Sequence, residues 1–178
     1  MVTPEKGFAV LSNRETKLDW LRRLLREFEG RLLRYAVRFV KIEVARELVQ
    51  ETFARIWKEG PLELKGRERE WLFCVCRNLA LDYLKKERPL SYVTQDNAIE
   101  PLAETALTQQ ESMGEVNGIL RALPANQQEV IRLKFQESMS YQEISQVTGH
   151  SVSHVGVLIH EAMKEVRRKM KISAKGAL

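Results

Sequence analysis

Cysteine and histidine are scarce in this 178-residue chain, which contains two cysteines and three histidines. Cys74 and Cys76 stand two apart in a segment with helical spacing, so their side chains diverge and cannot hold one metal ion between them. His160-Glu161 begins the HExxH zinc motif, but Lys164 stands where the second histidine belongs. We therefore predict two buried thiols, no metal site and no cofactor.

Long apolar runs are also missing. No stretch approaches the roughly 20 residues that cross a membrane as a helix. The first 17 residues carry charges on both sides of a short apolar stretch, unlike a signal peptide. There is no glycine-rich phosphate loop and no GxSxG motif, so nothing in the sequence favours an enzyme. We expect a cytoplasmic protein without a membrane span.

Charge is unevenly distributed along the chain. The formal net charge is +5, and it divides into +6 for residues 1–88, −3 for residues 89–110 and +2 for residues 111–178. Two basic segments joined by a short acidic one indicate a polyanionic partner. Solvated helix faces explain the same numbers equally well, so charge alone leaves both interpretations open.

Apolar residues recur at helical spacing almost throughout, and no strand pattern is present. The first stripe consists of Leu18, Leu21, Leu25, Phe28, Leu32, Tyr35 and Phe39. A second stripe ends at Gly60-Pro61, residues 60–69 read as a loop, and a third stripe ends before Pro89. The prediction is an all-α fold of two small helical domains, 1–88 and 111–178, joined by an acidic linker at 89–110.

Residues 138–162 predict a helix-turn-helix. Ser140 and Glu143 have the spacing of a capping box at the start of a short helix. Gly149 can adopt the left-handed conformation that ends it, and Ser151 can cap a second helix. The second helix of such a motif enters the major groove of DNA, although a plain helical hairpin has the same outline.

Motifs at both ends of the chain resemble one family. LPANQQEVIRLKF (123–135) with the capped motif resembles the fourth conserved region of bacterial sigma-70-type sigma factors. ARELVQETFARIW (45–57) and EWLFCVCRNLALDYLKKER (70–88) resemble the second region. The short linker is similar to that of the extracytoplasmic-function (ECF) group, and the resemblance spans roughly residues 18–172.

The resemblance implies a sigma factor that binds core RNA polymerase, directs promoter-specific initiation and helps to open the DNA, with no catalysis of its own. It assigns core-polymerase and −10 element binding to residues 1–88 and −35 element recognition to residues 111–178. The implied partners are core RNA polymerase, promoter DNA and an anti-sigma factor, and the chain is implied to be a monomer when free or bound to the anti-sigma factor.

The LVQETF helix docks on core polymerase in this family. The implied polymerase-binding residues are Glu47, Leu48, Gln50, Glu51, Phe53 and Trp57. They combine apolar anchors with carboxylates suited to a basic partner. Leu48, Phe53 and Trp57 can equally be core residues, whereas Gln50 and Glu51 have no evident role inside the domain.

The RNLALDYLKKER helix resembles the part that reads and opens the −10 element. The implied DNA-binding residues are Lys65, Arg67, Arg77, Asn78, Tyr83, Lys85, Lys86 and Arg88. Asn78 can pair with a base edge, while the cations can hold phosphates. Tyr83 can stack on a base or pack in the core.

The recognition helix departs from many relatives, because no Lys or Arg occurs between Lys134 and Lys164. Arginine readout of bases is therefore excluded on this helix. The implied −35 contacts are Ser151, Ser153, His154, Val157, Lys164, Arg167, Arg168 and Lys169. Two alternatives remain: Val157 and Leu158 form an apolar patch for a protein partner, or Leu158 is core.

Two other functions compete with a sigma factor. A stand-alone helix-turn-helix regulator is typically a dimer that binds a palindrome. An adaptor that binds polymerase or an anti-sigma factor needs little reading of DNA. The motifs in residues 45–88 argue against the regulator, and a flat salt dependence of DNA binding is expected only of the adaptor.

Overall fold

The computed structural model describes residues 16–64, 66–87 and 117–176, with side chains as far as residue 170. Its helices are α1 (Lys17–Ala36), α2 (Ile42–Glu59), α3 (Pro61–Leu64), α4 (Glu68–Glu87), α5 (Ala125–Phe135), α6 (Tyr141–Thr148) and α7 (Val152–Gly176). A further helical segment covers 117–121. The described ranges contain no strand, and the predicted all-α fold is confirmed.

Helices α1, α2 and α4 pack on one another and, with α3, form the N-terminal unit. Thr16 caps α1 by accepting a hydrogen bond from the Asp19 amide at 3.1 Å. The predicted stripe on α1 is wrong in its first turns, because Leu18 is 48% exposed while Trp20 and Leu24 are buried. The indole of Trp20 donates to Glu68 at 3.3 Å, so its polar end has a partner inside the unit.

The predicted loop at 60–69 is partly wrong. Gly60 ends α2 with a φ of 85°, as the stop signal predicts. Pro61 then opens the single turn α3, because a proline needs no amide donor in a first helical turn. Helix α4 already begins at Glu68, so the predicted loop is helical near both of its ends.

Helix α4 turns Leu72, Phe73, Cys76 and Ala80 into the core of the N-terminal unit. Burial raises the pKa of the Cys76 thiol to about 12, which keeps this thiol protonated at neutral pH. Cys74 is only half-buried. The prediction of two buried thiols is therefore confirmed for Cys76 and only partly met by Cys74.

Residues 117–121 and helices α5–α7 form the C-terminal unit, in which α5, α6 and α7 pack on one another. Both halves of the Ser140–Glu143 capping box are formed, and Gly149 ends α6 with a φ of 77°. Ser151 accepts a hydrogen bond from the His154 amide at 3.2 Å at the start of α7. These contacts confirm the predicted helix, glycine turn and second helix.

The two units touch each other, with α6 lying against α4. The predicted linker (89–110), Lys65 and Arg88 lie outside the described residues. Within the described part of the chain, no helix is both long and apolar enough to span a membrane.

Candidate functional site

The outer face of α2 carries the predicted polymerase-binding residues. Glu47, Gln50 and Glu51 are exposed, and Glu51 forms a helix-surface ion pair with Arg55 at 2.8 Å. Trp57 is 39% exposed at the end of the same helix. The face therefore joins carboxylates and an amide to one accessible aromatic ring, a mixture suited to a protein partner.

The two other predicted anchors on α2 lie deeper. Phe53 is 7% exposed and belongs to the hydrophobic core, and Leu48 is half-buried against it. The Leu48 carbonyl also accepts the hydroxyl of the buried Thr52 at 2.7 Å. Of the two interpretations of Phe53, packing within the unit is the one its burial favours.

Arg77, a predicted phosphate contact on α4, is held by the C-terminal unit. Its Nε and Nη2 donate to the two carboxylate oxygens of Glu129 at 2.8 and 3.3 Å. Burial opposes the charge of Arg77, but Glu129 outweighs this effect and raises the pKa of the guanidinium. The neighbouring Asn78 is exposed, with its amide 3.7 Å from the Cys74 sulfur.

The structure also describes four other residues that were predicted to bind the −10 element, which are Arg67, Tyr83, Lys85 and Lys86. Tyr83 is half-buried against the core, whereas Lys85 and Lys86 are exposed in the last turn of α4. Arg67 is exposed before α4 and donates to the Leu64 carbonyl at 3.4 Å. Lys85, Lys86 and Arg67 are thus accessible cations on the N-terminal unit.

The first turns of α7 expose the predicted base-reading side chains. Ser153 and His154 are exposed, and Val157 is 50% exposed. Leu158 is only 4% exposed. An exposed patch made by Val157 together with Leu158 is therefore wrong, because Leu158 packs in the core of the C-terminal unit.

The predicted phosphate contacts lie further along α7. Lys164, Arg167 and Arg168 line an open groove that Tyr141 and Gly156 also border. Arg168 is tied to Glu165 through two hydrogen bonds of 2.6 and 2.7 Å. Lys169 lies 3.8 Å from Glu165, so Lys164 and Arg167 are the cations that this glutamate does not engage.

The sequence did not reveal the polar residues between the two units. Glu129 is 5% exposed on α5 and also accepts a hydrogen bond from the Tyr35 hydroxyl at 2.5 Å. Burial and Glu129 raise the pKa of Tyr35 well above its ordinary value. The sequence feature that indicates this role is the position of Glu129 beside the apolar run of α5, where helical spacing predicts a buried residue.

No three His, Cys, Asp or Glu side chains gather into a metal-binding group within the described ranges. The surfaces that remain suit protein and nucleic acid. They are the acidic face of α2, the cations around α4 and the polar start of α7.

Comparison with known families gives two matches in chain order. Residues 24–89 match the family model described as Sigma-70 region 2, and residues 114–166 match Sigma-70, region 4. The chain is 26% identical over 163 residues to RNA polymerase sigma factor YlaC of Bacillus subtilis, covering 85% of this chain and 92% of the relative. It is also 26% identical over 136 residues to ECF RNA polymerase sigma factor SigX of the same organism, covering 71% and 70% of the two chains.

Among solved structures, the fold is similar to that of the sigma factor RpoE from Bartonella quintana, solved in complex with the anti-sigma factor NepR. The TM-score is 0.58 at 19% identity, and the match covers 85% of this chain and 96% of that one. Similarity at this identity supports the arrangement of helices and says nothing further about residues.

Proposed function

The chain belongs to the sigma-70 family, in its ECF group, and is a sigma factor of RNA polymerase; we propose how its residues divide that work. The observation that carries the proposal is the occurrence of both family regions, in order, on two helical units. Region 2 falls on the N-terminal unit, which is assigned to polymerase docking and the −10 element. Region 4 falls on the C-terminal unit, which is assigned to the −35 element.

Core polymerase docks on the outer face of α2 in this proposal. Glu47, Gln50 and Glu51 supply polar contacts, and Trp57 supplies an aromatic anchor of the kind that dominates interface energies. Their exposure supports this role, because none of these four side chains is buried in the core. Leu48 contributes at the edge of this face, while Phe53 supports the helix from beneath.

The −10 element binds along α4. Asn78 pairs with a base edge, and Arg77 and the lysines of the last turn hold the strand by its phosphates. Unstacking a base costs a few kcal/mol, which these contacts offset. No bond is made or broken in this step, so the chain needs no catalytic residues of its own, and we place its activity in the cytoplasm.

The −35 element binds the start of α7. Ser151, Ser153 and His154 offer hydrogen bonds to base edges, and Val157 can touch a thymine methyl group. Lys164, Arg167, Arg168 and Lys169 hold phosphates farther along the helix. The exposure of the first turns and the basic groove support this assignment.

An anti-sigma factor is the proposed regulatory partner. The similar RpoE was solved with one, which supports the suggestion at the level of fold. We propose that such a partner binds this chain as a monomer.

The test is co-purification with bacterial core RNA polymerase, followed by run-off transcription on a fragmented genomic library. A sigma factor binds the core enzyme and yields discrete transcripts, and the DNA upstream of their start sites contains a common promoter sequence. Binding without transcripts supports an adaptor, and no binding to the core enzyme contradicts the docking proposal.

Two variants locate the surfaces. Glu47→Lys should weaken core binding by roughly tenfold or more, whereas Glu29→Lys, an equal charge change on an exposed position of α1, should not.

His154→Ala should change the preferred upstream element in the same transcription assay. An unchanged promoter profile would show that His154 does not read bases.

A further inference from the structure

Three arginines from three different segments lie near one another. Arg38 lies in the turn that follows α1, Arg121 ends the helical segment 117–121, and Arg132 lies in the last turn of α5. The charges of Arg38 and Arg121 both act on Arg132, so the three guanidinium groups are neighbours in the folded chain. We name these three residues the arginine cluster.

Two nitrogen atoms of the arginine cluster are buried without a hydrogen-bond partner among the described residues. They are Nη1 of Arg38 and Nε of Arg132. Arginines near the end of a helix often donate to its last carbonyls, but neither of these atoms does so. A buried donor on a charged group is costly when it is unpaired, and such a donor in a native structure indicates a bound water or ion.

The charge of the arginine cluster is not offset by ion pairs. None of its three arginines pairs with an acidic side chain in the described part of the chain. Burial and the charges of Arg38 and Arg121 lower the pKa of Arg132 to about 10. A guanidinium with this pKa still carries its charge at neutral pH, so the repulsion among the three arginines persists in the folded chain.

Glu129 is the carboxylate whose charge acts on Arg38, but its oxygens are already engaged. They accept hydrogen bonds from Arg77 at 2.8 and 3.3 Å, and one of them also accepts the Tyr35 hydroxyl at 2.5 Å. Glu129 therefore attracts Arg38 through space without a direct contact. Among the described residues, no acidic side chain acts in this way on Arg132.

The arginine cluster is accessible from solvent. Arg121 is exposed, and Arg38 and Arg132 are only half-buried as whole residues. A compact anion that enters beside Arg121 can reach the buried nitrogen atoms, because long arginine side chains adjust to it without movement of the helices. A nucleic-acid strand carries its phosphates on a broad backbone, which cannot follow the side chains below the surface.

A phosphate group matches this cluster better than a carboxylate does. It accepts charge-assisted hydrogen bonds from several guanidinium groups at once, and the planar fork of arginine suits its geometry. A carboxylate has only two oxygens and a single charge, which is less than three cations require. The charge surplus and the unpaired donors thus point to the same class of ligand.

We propose that the arginine cluster binds a small phosphate-bearing ligand, either a free inorganic phosphate or diphosphate or the phosphate chain of a nucleotide. The phosphate oxygens accept hydrogen bonds from the buried nitrogen atoms of Arg38 and Arg132, and Arg121 holds the ligand at the solvent side. This inference is independent of the proposed polymerase and promoter contacts, because none of the three arginines is among them.

The test is isothermal titration calorimetry of the full chain with sodium diphosphate, at an ionic strength kept constant with sodium chloride. The cluster variant Arg38→Gln/Arg132→Gln removes the two half-buried cations. The control Arg26→Gln/Arg46→Gln removes the same charge from exposed positions of α1 and α2.

We expect saturable binding of one diphosphate per chain, with wild-type affinity in the control and roughly tenfold or more weaker binding in the cluster variant. Absence of saturable binding in the wild type would overturn the site. Equal weakening in both variants would also overturn it, because the effect would then follow net charge and not position.

Further titrations distinguish the sources of the phosphate. If GTP binds more tightly than diphosphate, the ligand is a nucleotide, and equal affinities indicate that the phosphate groups alone are recognised. An oligo-dT strand of about 20 nucleotides provides the comparison with nucleic acid. Tighter binding of this strand than of either small ligand, lost in the cluster variant, would assign the arginines to nucleic acid and overturn the proposal.

Thermal unfolding and a third variant keep the proposal falsifiable if the cluster variant does not fold. Saturating diphosphate should raise the thermal midpoint of the wild type and the control, because a ligand that binds only the folded chain stabilises it. Arg121→Gln changes an exposed residue and should weaken diphosphate binding several-fold. Unchanged affinity in Arg121→Gln, or no thermal shift in the wild type, would contradict the site.

Discussion

Arg77 and Asn78 are consecutive residues of α4 with opposite surroundings. Arg77 is engaged by a buried carboxylate, whereas Asn78 is exposed beside it. The difference follows from helical geometry, since consecutive side chains point about 100° apart. Only Asn78 is therefore free to meet a base without a change in the packing of the two units.

Asn78→Ala should impair promoter opening while leaving core polymerase binding intact. The exposed amide is replaced by a better helix former, so loss of fold is not expected. A lost base contact of about 1–3 kcal/mol predicts a drop in open complexes of roughly tenfold. Permanganate footprinting of the melted strand measures opening, and equal loss of polymerase binding would identify Asn78 as structural.

Glu143 takes part in the capping box of α6 and also pairs with Arg69 of the N-terminal unit. Burial disfavours its charge, but hydrogen bonds from Arg69 and Ser140 outweigh burial and lower its pKa below the ordinary 4.5. A lowered pKa means that the carboxylate stabilises the folded chain above that ordinary value. The stabilisation is lost as the pH falls through the lower folded value.

Glu143→Gln should therefore lower the thermal midpoint near neutral pH, and its difference from wild type should shrink below about pH 4. Glutamine can still complete the capping box, so the variant tests the charge more than the cap. Thermal unfolding across the pH range measures the difference. A difference that stays constant with pH would show that the carboxylate charge contributes nothing.

At the scale of the element, the helix-turn-helix depends on one backbone conformation. Gly149 has a φ of 77°, and open space surrounds the position that a Cβ would take. A side chain there is opposed by backbone strain and not by a steric clash with neighbours. The capping box at the other end of α6 and Ser151 at the start of α7 then set the helix on either side.

Gly149→Ala should destabilise the chain by about 1 kcal/mol, and Gly149→Asn by less, because asparagine tolerates the left-handed region. Urea unfolding of the full chain measures both. Gly118→Ala is the matched control: this residue lies in the helical segment 117–121 with open space around it, so alanine should be neutral or stabilising. Equal effects at both glycines would contradict the strain argument.

At the scale of the whole molecule, the two units share a hydrophobic cluster and three ion pairs, which are Arg31–Glu137, Arg69–Glu143 and Arg77–Glu129. Such an interface couples the folding of the parts it joins. Calorimetry of the full chain should therefore give a single unfolding transition. The variant Glu129→Gln/Glu137→Gln/Glu143→Gln, which removes the acidic side of the three ion pairs, should give two transitions. Two transitions in the wild type would show that the units unfold independently.

Local chemistry made much of this molecule predictable from its sequence. Three local features follow from the conformations that single residues allow. They are the end of α2 at Gly60, the capping box at Ser140 and the turn at Gly149. The all-α fold follows from apolar spacing. The predicted stripe on α1 was wrong in its first turns because helical spacing alone does not decide whether Leu18, Trp20 or Leu21 faces inward. Contact with α4 places Trp20 on the buried face.

Partner choice across the two units was decided by the tertiary structure alone. Arg31 and Glu137, or Arg77 and Glu129, are separated by dozens of residues in the chain, and nothing in local spacing pairs them. The sequence determined two helical units, their motifs and the family of sigma factors to which they belong. Only the packing of α6 on α4 decided that Arg77, a proposed DNA contact, also pairs with Glu129. The physical reason is that a charge buried by the fold is stable only beside an opposite charge, which here comes from a distant part of the chain.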